Sequence, residues 1–157
     1  MPIIEISTLK SALVLGNRLL GLDLGERTIG LALSDTLLTV ATPLETLKRG
    51  RFKADAVALD ERIVKFGVGG LVIGMPLNMD GSSGPSAQSA RAFARNIAAH
   101  SALPMIFWDE RLSTAAVTRT LLEADASRAS RARVVDKMAA AYILQGALER
   151  LRTLEGR

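Results

Sequence analysis

The stretch Leu19-Leu20-Gly21-Leu22-Asp23-Leu24-Gly25-Glu26-Arg27-Thr28-Ile29-Gly30-Leu31-Ala32-Leu33-Ser34 decides the fold. Leu19–Leu24 and Thr28–Ser34 have the composition of strands, and Gly25-Glu26-Arg27 between them reads as a tight turn, so the pair forms a hairpin. Asp23 lies inside the first apolar run. A carboxylate in such a run is costly unless it is paired or binds a cation. Side chains alternate along a strand, so Asp23 shares a face with Gly21 and Gly25, which leave room beside it for a metal or a substrate backbone.

Outward from the hairpin, Val40–Leu47 reads as a third strand, and Pro43 makes it an edge. Apolar residues at 56, 59, 63 and 66 predict an amphipathic helix over Lys53–Phe66, stopped by Gly67 and the Gly69-Gly70 pair. Leu71-Val72-Ile73 is a short buried strand that Gly74-Met75-Pro76 ends. Asn78–Pro85 is rich in Gly and Ser and reads as an exposed, mobile loop, a candidate flap over substrate. Ser86–His100 is helical, Met105–Trp108 is the last strand, and Ser113–Glu123 is a helix with Ser113 or Thr114 as N-cap. Asp125–Arg131 reads as polar linker and Val134–Leu154 as the final helix. Residues 1–18 show no clear period and read as an N-terminal extension, with 19–157 as a single domain. The order β-β-β-α-β-α-β-α-α predicts an α/β fold, a mixed sheet with helices packed on it. Ligands in such sheets gather at the carboxyl ends of the strands.

Two further acidic positions lie at the edges of core elements. Asp136, Ala140, Ile143, Ala147 and Leu151 form one helical stripe, with the carboxylate at its start. Asp109-Glu110 ends the apolar run Leu103–Trp108. Glu110 shares strand parity with Ile106 and Trp108, so it is the first choice to face the Asp23 cleft, and Asp109 the second. Each acid also has a purely structural reading: Asp23 bracing the turn, Asp136 favouring the helix dipole, Asp109-Glu110 as a solvated strand end paired with Arg111. Taken together, carboxylates from three distant segments point to a site for Mg²⁺ or Mn²⁺ and to phosphodiester hydrolysis.

Composition narrows the alternatives. The 157 residues are 48% hydrophobic, enough for a full core, and there is no cysteine for disulfides or thiolate zinc sites. The longest uncharged stretch, Phe66 to Met79, is broken by glycines and Pro76 and cannot span a bilayer. Residues 1–18 carry Glu5 and Lys10 and lack a sustained apolar segment, so no signal peptide and a cytoplasmic location are expected. His100 is the sole histidine and ends an Ala-rich helix, which disfavours serine-hydrolase chemistry. No P-loop motif is present. Net charge is +4, with Lys48, Arg49, Arg51 and Lys53 in one cluster and Arg128, Arg131, Arg133 and Lys137 in another beside Asp136. Aromatic residues are only 4%, so a nucleic-acid partner would be held through its phosphates rather than by base stacking. Arg111 and the second cluster are the candidate phosphate contacts.

Four motifs carry a family resemblance. Leu22-Asp23-Leu24-Gly25 with Thr28-Ile29-Gly30-Leu31-Ala32-Leu33-Ser34-Asp35 resembles the opening motif of the YqgF (RuvX) family of RNase H-like nucleases. Val72 to Gly81, Asp109-Glu110-Arg111-Leu112-Ser113-Thr114, and Val135-Asp136-Lys137-Met138-Ala139-Ala140 followed by Ile143-Leu144-Gln145 are similar to its later motifs, in order. The likeness runs from about residue 19 to 152 and leaves residues 1–18 outside. It implies an RNase H-like fold with a central five-stranded mixed sheet flanked by helices. It also implies maturation of the 5′ end of pre-16S ribosomal RNA, with pre-rRNA or ribosomal precursor particles as partners, and a monomer or homodimer. Metal-binding acids carried over by motif position are Asp23, Glu110 and Asp136. Two alternatives stay open: a resolvase acting on branched DNA at Holliday junctions, and a non-catalytic module binding RNA or a transcription complex. Resolvases of this fold have a glutamate at the end of the fourth strand, where this chain has Gly74-Met75-Pro76. An Asp-x-Gly hairpin also opens sugar-kinase-like ATPases, but that architecture needs two such domains.

Overall fold

The computed structural model describes residues 3–112 and 128–155 and, in the last helix, side chains from Lys137 to Leu154. The elements are α1 (Ile6–Ala12), β1 (Arg18–Leu24), β2 (Thr28–Ser34), β3 (Ala41–Lys48), α2 (Phe52–Phe66), β4 (Val68–Met75), α3 (Pro85–His100), β5 (Met105–Asp109), a 3-10 turn (Glu110–Leu112) and α4 (Arg128–Glu155). They build one five-stranded sheet in the order β3-β2-β1-β4-β5. β1 and β2 pair antiparallel with Asp23 opposite Gly30, as the hairpin reading expects. β3 is an edge and adds antiparallel to β2, with a register shift beside Pro43. β4 lies parallel to β1, and β5 parallel to β4. The sheet is mixed, as expected.

Strand alternation divides the core in two. Leu20, Leu22, Ile29, Leu31, Leu71, Ile73 and Met105 pack with Leu59 of α2 and Phe93, Ala94 and Ile97 of α3. Leu19, Ala32, Val72, Ile106 and Trp108 pack with Ala140, Ile143, Leu144, Ala147 and Leu148 of α4. The predicted stripe along the final helix is therefore its buried side from Ala140 onward.

Two local expectations change. Residues 1–18 hold regular structure: α1 buries Leu9 completely, and Ile4 N–H donates to the Met105 carbonyl at 2.9 Å beside the edge strand. Gly67 does end α2, in the left-handed conformation at φ 63°, but Gly69 and Gly70 belong to β4, which is longer than Leu71–Ile73. Both are crowded rather than turning: a Cβ on Gly69 would stand 2.6 Å from Asn17 Cβ, and one on Gly70 2.9 Å from Leu19 Cδ2. α4 starts at Arg128, inside the expected polar linker. The predicted helix Ser113–Glu123 lies outside the described residues.

A candidate carboxylate site on the α4 face

Asp23 stands near the carboxyl end of β1, on the face that α4 covers, and is 3% exposed. The neighbouring position on β4 is Gly74, since Leu22 pairs with Ile73 in the parallel register. On the far side of Gly74, opposite Trp108, β5 ends and Glu110 turns into the same face with 4% exposure. A Cβ on Gly74 would lie 3.2 Å from Glu110 Oε2 and 2.5 Å from Ile143 Cδ1. The bare position is thus filled by the Ile143 side-chain tip, with the Glu110 carboxylate packed close beside it. Gly21 does the same for the helix: a Cβ there would meet Leu144 Cβ at 2.8 Å and the Ala140 carbonyl at 3.0 Å. These small residues let α4 and two buried carboxylates share one face.

Asp136 lies in α4 one turn before Ala140, and its side chain lies outside the described residues, as do those of Arg128, Arg131 and Arg133. Ala140 and Leu144 sit over Gly21, while Gln145 reaches the start of β3 through Ala41 N–H at 2.8 Å. β3 begins beside the amino end of β1, so the helix runs from the carboxyl end of β1 toward its amino end. The turn holding Asp136 is therefore on the Asp23 side. Lys137 follows it and is half-buried. Among the described residues no three Asp, Glu or His side chains converge.

Asp109 and Arg111 are placed differently from Glu110. The Arg111 side chain donates to Asp109 through Nε, at 3.0 Å to each carboxylate oxygen, and through Nη2 at 2.6 Å. Its backbone N–H donates to Asp109 Oδ1 at 3.0 Å. The guanidinium holds the Asp109 carboxyl below the usual carboxylate range, and the carboxylate in turn raises Arg111. Arg111 Nη1 also donates to the Met79 carbonyl at 3.2 Å. The 78–84 loop is exposed, as expected, and it is folded on itself: Asn78 N–H donates to the Ser82 carbonyl, and Ser82 N–H to Asp80 Oδ1, both at 2.9 Å. His100 ends α3 on the surface and bonds Asp60 at 2.7 Å, far from any nucleophile's role.

A family model described as "RuvX: Holliday junction resolvase" matches residues 17–150. The chain belongs to the RuvX family. It is 58% identical to a Methylocella silvestris protein named "Putative pre-16S rRNA nuclease", over 98% of this chain and 95% of that one. A Roseobacter denitrificans protein of the same name is 61% identical, over 87% of this chain and 85% of that one. Among solved structures, Thermus thermophilus RuvC in complex with a Holliday junction substrate superposes with a TM-score of 0.53 at 17% identity, over 87% of this chain and 97% of that one. The yeast mitochondrial Holliday junction resolvase gives 0.52 at 13% identity, over 96% and 86%. At such identities the likeness is one of fold, and the fold is RNase H-like. RuvX membership makes this chain a nuclease, a hydrolase acting on ester bonds. In the sequence Gly74 reads as a strand end and as the place where resolvases of this fold carry a glutamate. Its closeness to Glu110 depends on a neighbouring strand, which no local pattern reports.

Proposed function

We propose that this RuvX-family chain is a divalent-cation-dependent endonuclease that processes the 5′ end of pre-16S rRNA in the cytoplasm, on RNA or on ribosomal precursor particles. Asp23, Glu110 and Asp136 would hold Mg²⁺ or Mn²⁺. The observation that carries this reading is the burial of Asp23 and Glu110 on one sheet face, beside the bare Gly74, where a side chain would crowd the Glu110 carboxylate. Oxygen-only donors of this kind suit a hard cation. The names of the relatives supply the substrate.

A cation bound there supplies positive charge that stabilises the charge developing on the phosphate. The chain's own residues do the rest. Glu110 accepts a hydrogen bond from the attacking water and so orients it. Arg128, Arg131, Arg133 and Lys137, clustered on the opening turns of α4, hold flanking phosphates. The α2 and α3 side of the sheet supplies no acid to this reaction and serves as its rigid support.

The test is cleavage of a precursor 16S rRNA 5′ fragment, beside a four-way DNA junction, with Mn²⁺, Mg²⁺ or EDTA. Metal-dependent cutting of the RNA is expected. Asp23→Asn and Glu110→Gln each lower it by more than about a hundredfold, beyond the effect of residues that merely orient a ligand. Their melting temperatures hold, because an amide is easier to bury than a carboxylate. Wild-type rates in both variants, or preferential cutting of the junction, would remove respectively the site or the substrate from this reading.

A further inference from the structure

We propose that Asp109 and Arg111 act as one positioning pair, which fixes the Glu110 carboxylate over Gly74 and latches the 78–84 loop to the end of β5. The inference rests on the catalytic reading of Glu110. Asp109 and Arg111 flank that residue and close on each other across it. Four donor–acceptor contacts join them, including the Arg111 backbone N–H to Asp109 Oδ1 at 3.0 Å. That bond caps the 3-10 turn of residues 110–112 that follows β5. Strand parity sends Glu110 toward α4, and the turn fixes how far along the sheet its carboxylate stands. The result is Oε2 beside Gly74, 3.2 Å from where a Cβ would stand.

The same guanidinium reaches the loop. Arg111 Nη1 donates to the Met79 carbonyl at 3.2 Å, and Gly81, at φ 89°, lies against it with room for a Cβ only 3.5 Å from Nη1. The Met79 side chain points outward, 88% exposed, so the loop is held here by its backbone rather than by apolar packing. One arginine thus ties the loop to the strand end that carries Glu110. An arginine suits this task because its rigid planar fork pairs with a carboxylate through fixed donors and still points another at a carbonyl. Asp109 is on this view neither a cation ligand nor a general base, and Arg111 is not chiefly a phosphate contact.

A double-mutant cycle separates the pair from two independent residues. Asp109→Ala and Arg111→Ala are each expected to lower kcat by about ten- to a hundredfold, the range for partners that orient a ligand. RNA affinity in EDTA should stay unchanged, and the double variant should fall no further than the worse single one. Arg111→Lys, which keeps the charge, should behave like Arg111→Ala. Thermolysin nicking around Met79 should accelerate in all of them, a readout that needs neither cation nor substrate. Multiplicative losses, or an Arg111→Ala protein with weaker RNA binding and a salt slope smaller by about one, would overturn the pair. Nicking at the wild-type rate would overturn the latch. Glu110→Gln is run alongside: wild-type cutting by that variant defeats the catalytic assignment itself, whereas its inactivity with a multiplicative cycle defeats only the pair.

Discussion

The two faces of the sheet are made by the same strands and composed in opposite ways. Toward α2 and α3, β1, β2 and β4 present Leu20, Leu22, Ile29, Leu31, Leu71 and Ile73. Toward α4 the alternate positions are Leu19, Gly21, Asp23, Gly30, Ala32, Ser34, Gly70, Val72 and Gly74. One face is filled with branched apolar volume. The other has its bulk at Leu19, Val72, Ile106 and Trp108 and small residues around Asp23, so a helix can approach closely and carboxylates can be buried beside it. The contrast teaches that β1 and β4 place branched packing and buried carboxylates on opposite faces, one residue apart.

The largest expected break in that contrast is on the apolar face. Leu31→Ala should cost about 2–5 kcal/mol in chemical denaturation, by lost transfer energy and a cavity. Cleavage per folded molecule should be retained. The bare face answers in the other direction, to added volume. Gly21→Ala should cost about 1–3 kcal/mol, because its Cβ meets the Leu144 Cβ and the Ala140 backbone, neither of which moves without shifting α4. Gly74→Ala should cost less stability, since the Ile143 side-chain tip can yield. It should nonetheless lower cleavage about tenfold, because the Glu110 carboxylate must shift. Equal stability losses at the two glycines, with cleavage intact, would count against the Gly74 gap as a functional feature. The smallest effect is expected at the rim of the apolar face, where Arg62 and Glu45 bond at 2.8 Å while partly exposed. Arg62→Ala should cost less than about 1 kcal/mol and lose even that in high salt.

Much of this division was legible in the chain because strand alternation is a local signal. The hairpin, the edge strand at Pro43 and the choice of Glu110 over Asp109 to face Asp23's side all follow from period and parity. What was not legible depends on contacts between distant segments. Gly69 and Gly70 look like a helix stop, yet they are strand residues kept bare by Asn17, Leu13 and Leu19. α1 is short and buries a single residue, Leu9, which is too little to make a period. The start of α4 at Arg128 was hidden by a run of Arg, Ser and Ala with no apolar stripe. The engagement of Arg111 with Met79 joins residues 32 apart in the chain and leaves no local signal.

The bridge before α1 has a consequence for the molecule's life in a crowded cell. β5 is an edge of the sheet, and an open edge invites pairing with other chains. Ile3 bridges Met105 in parallel and the Ile4 amide occupies its carbonyl, so the amino-terminal segment covers the start of that edge. At the opposite edge, Pro43 removes a donor and the register shift bends β3. Both borders of the sheet are thereby blunted against self-association into β-aggregates, one by a borrowed bridge and one by a missing hydrogen.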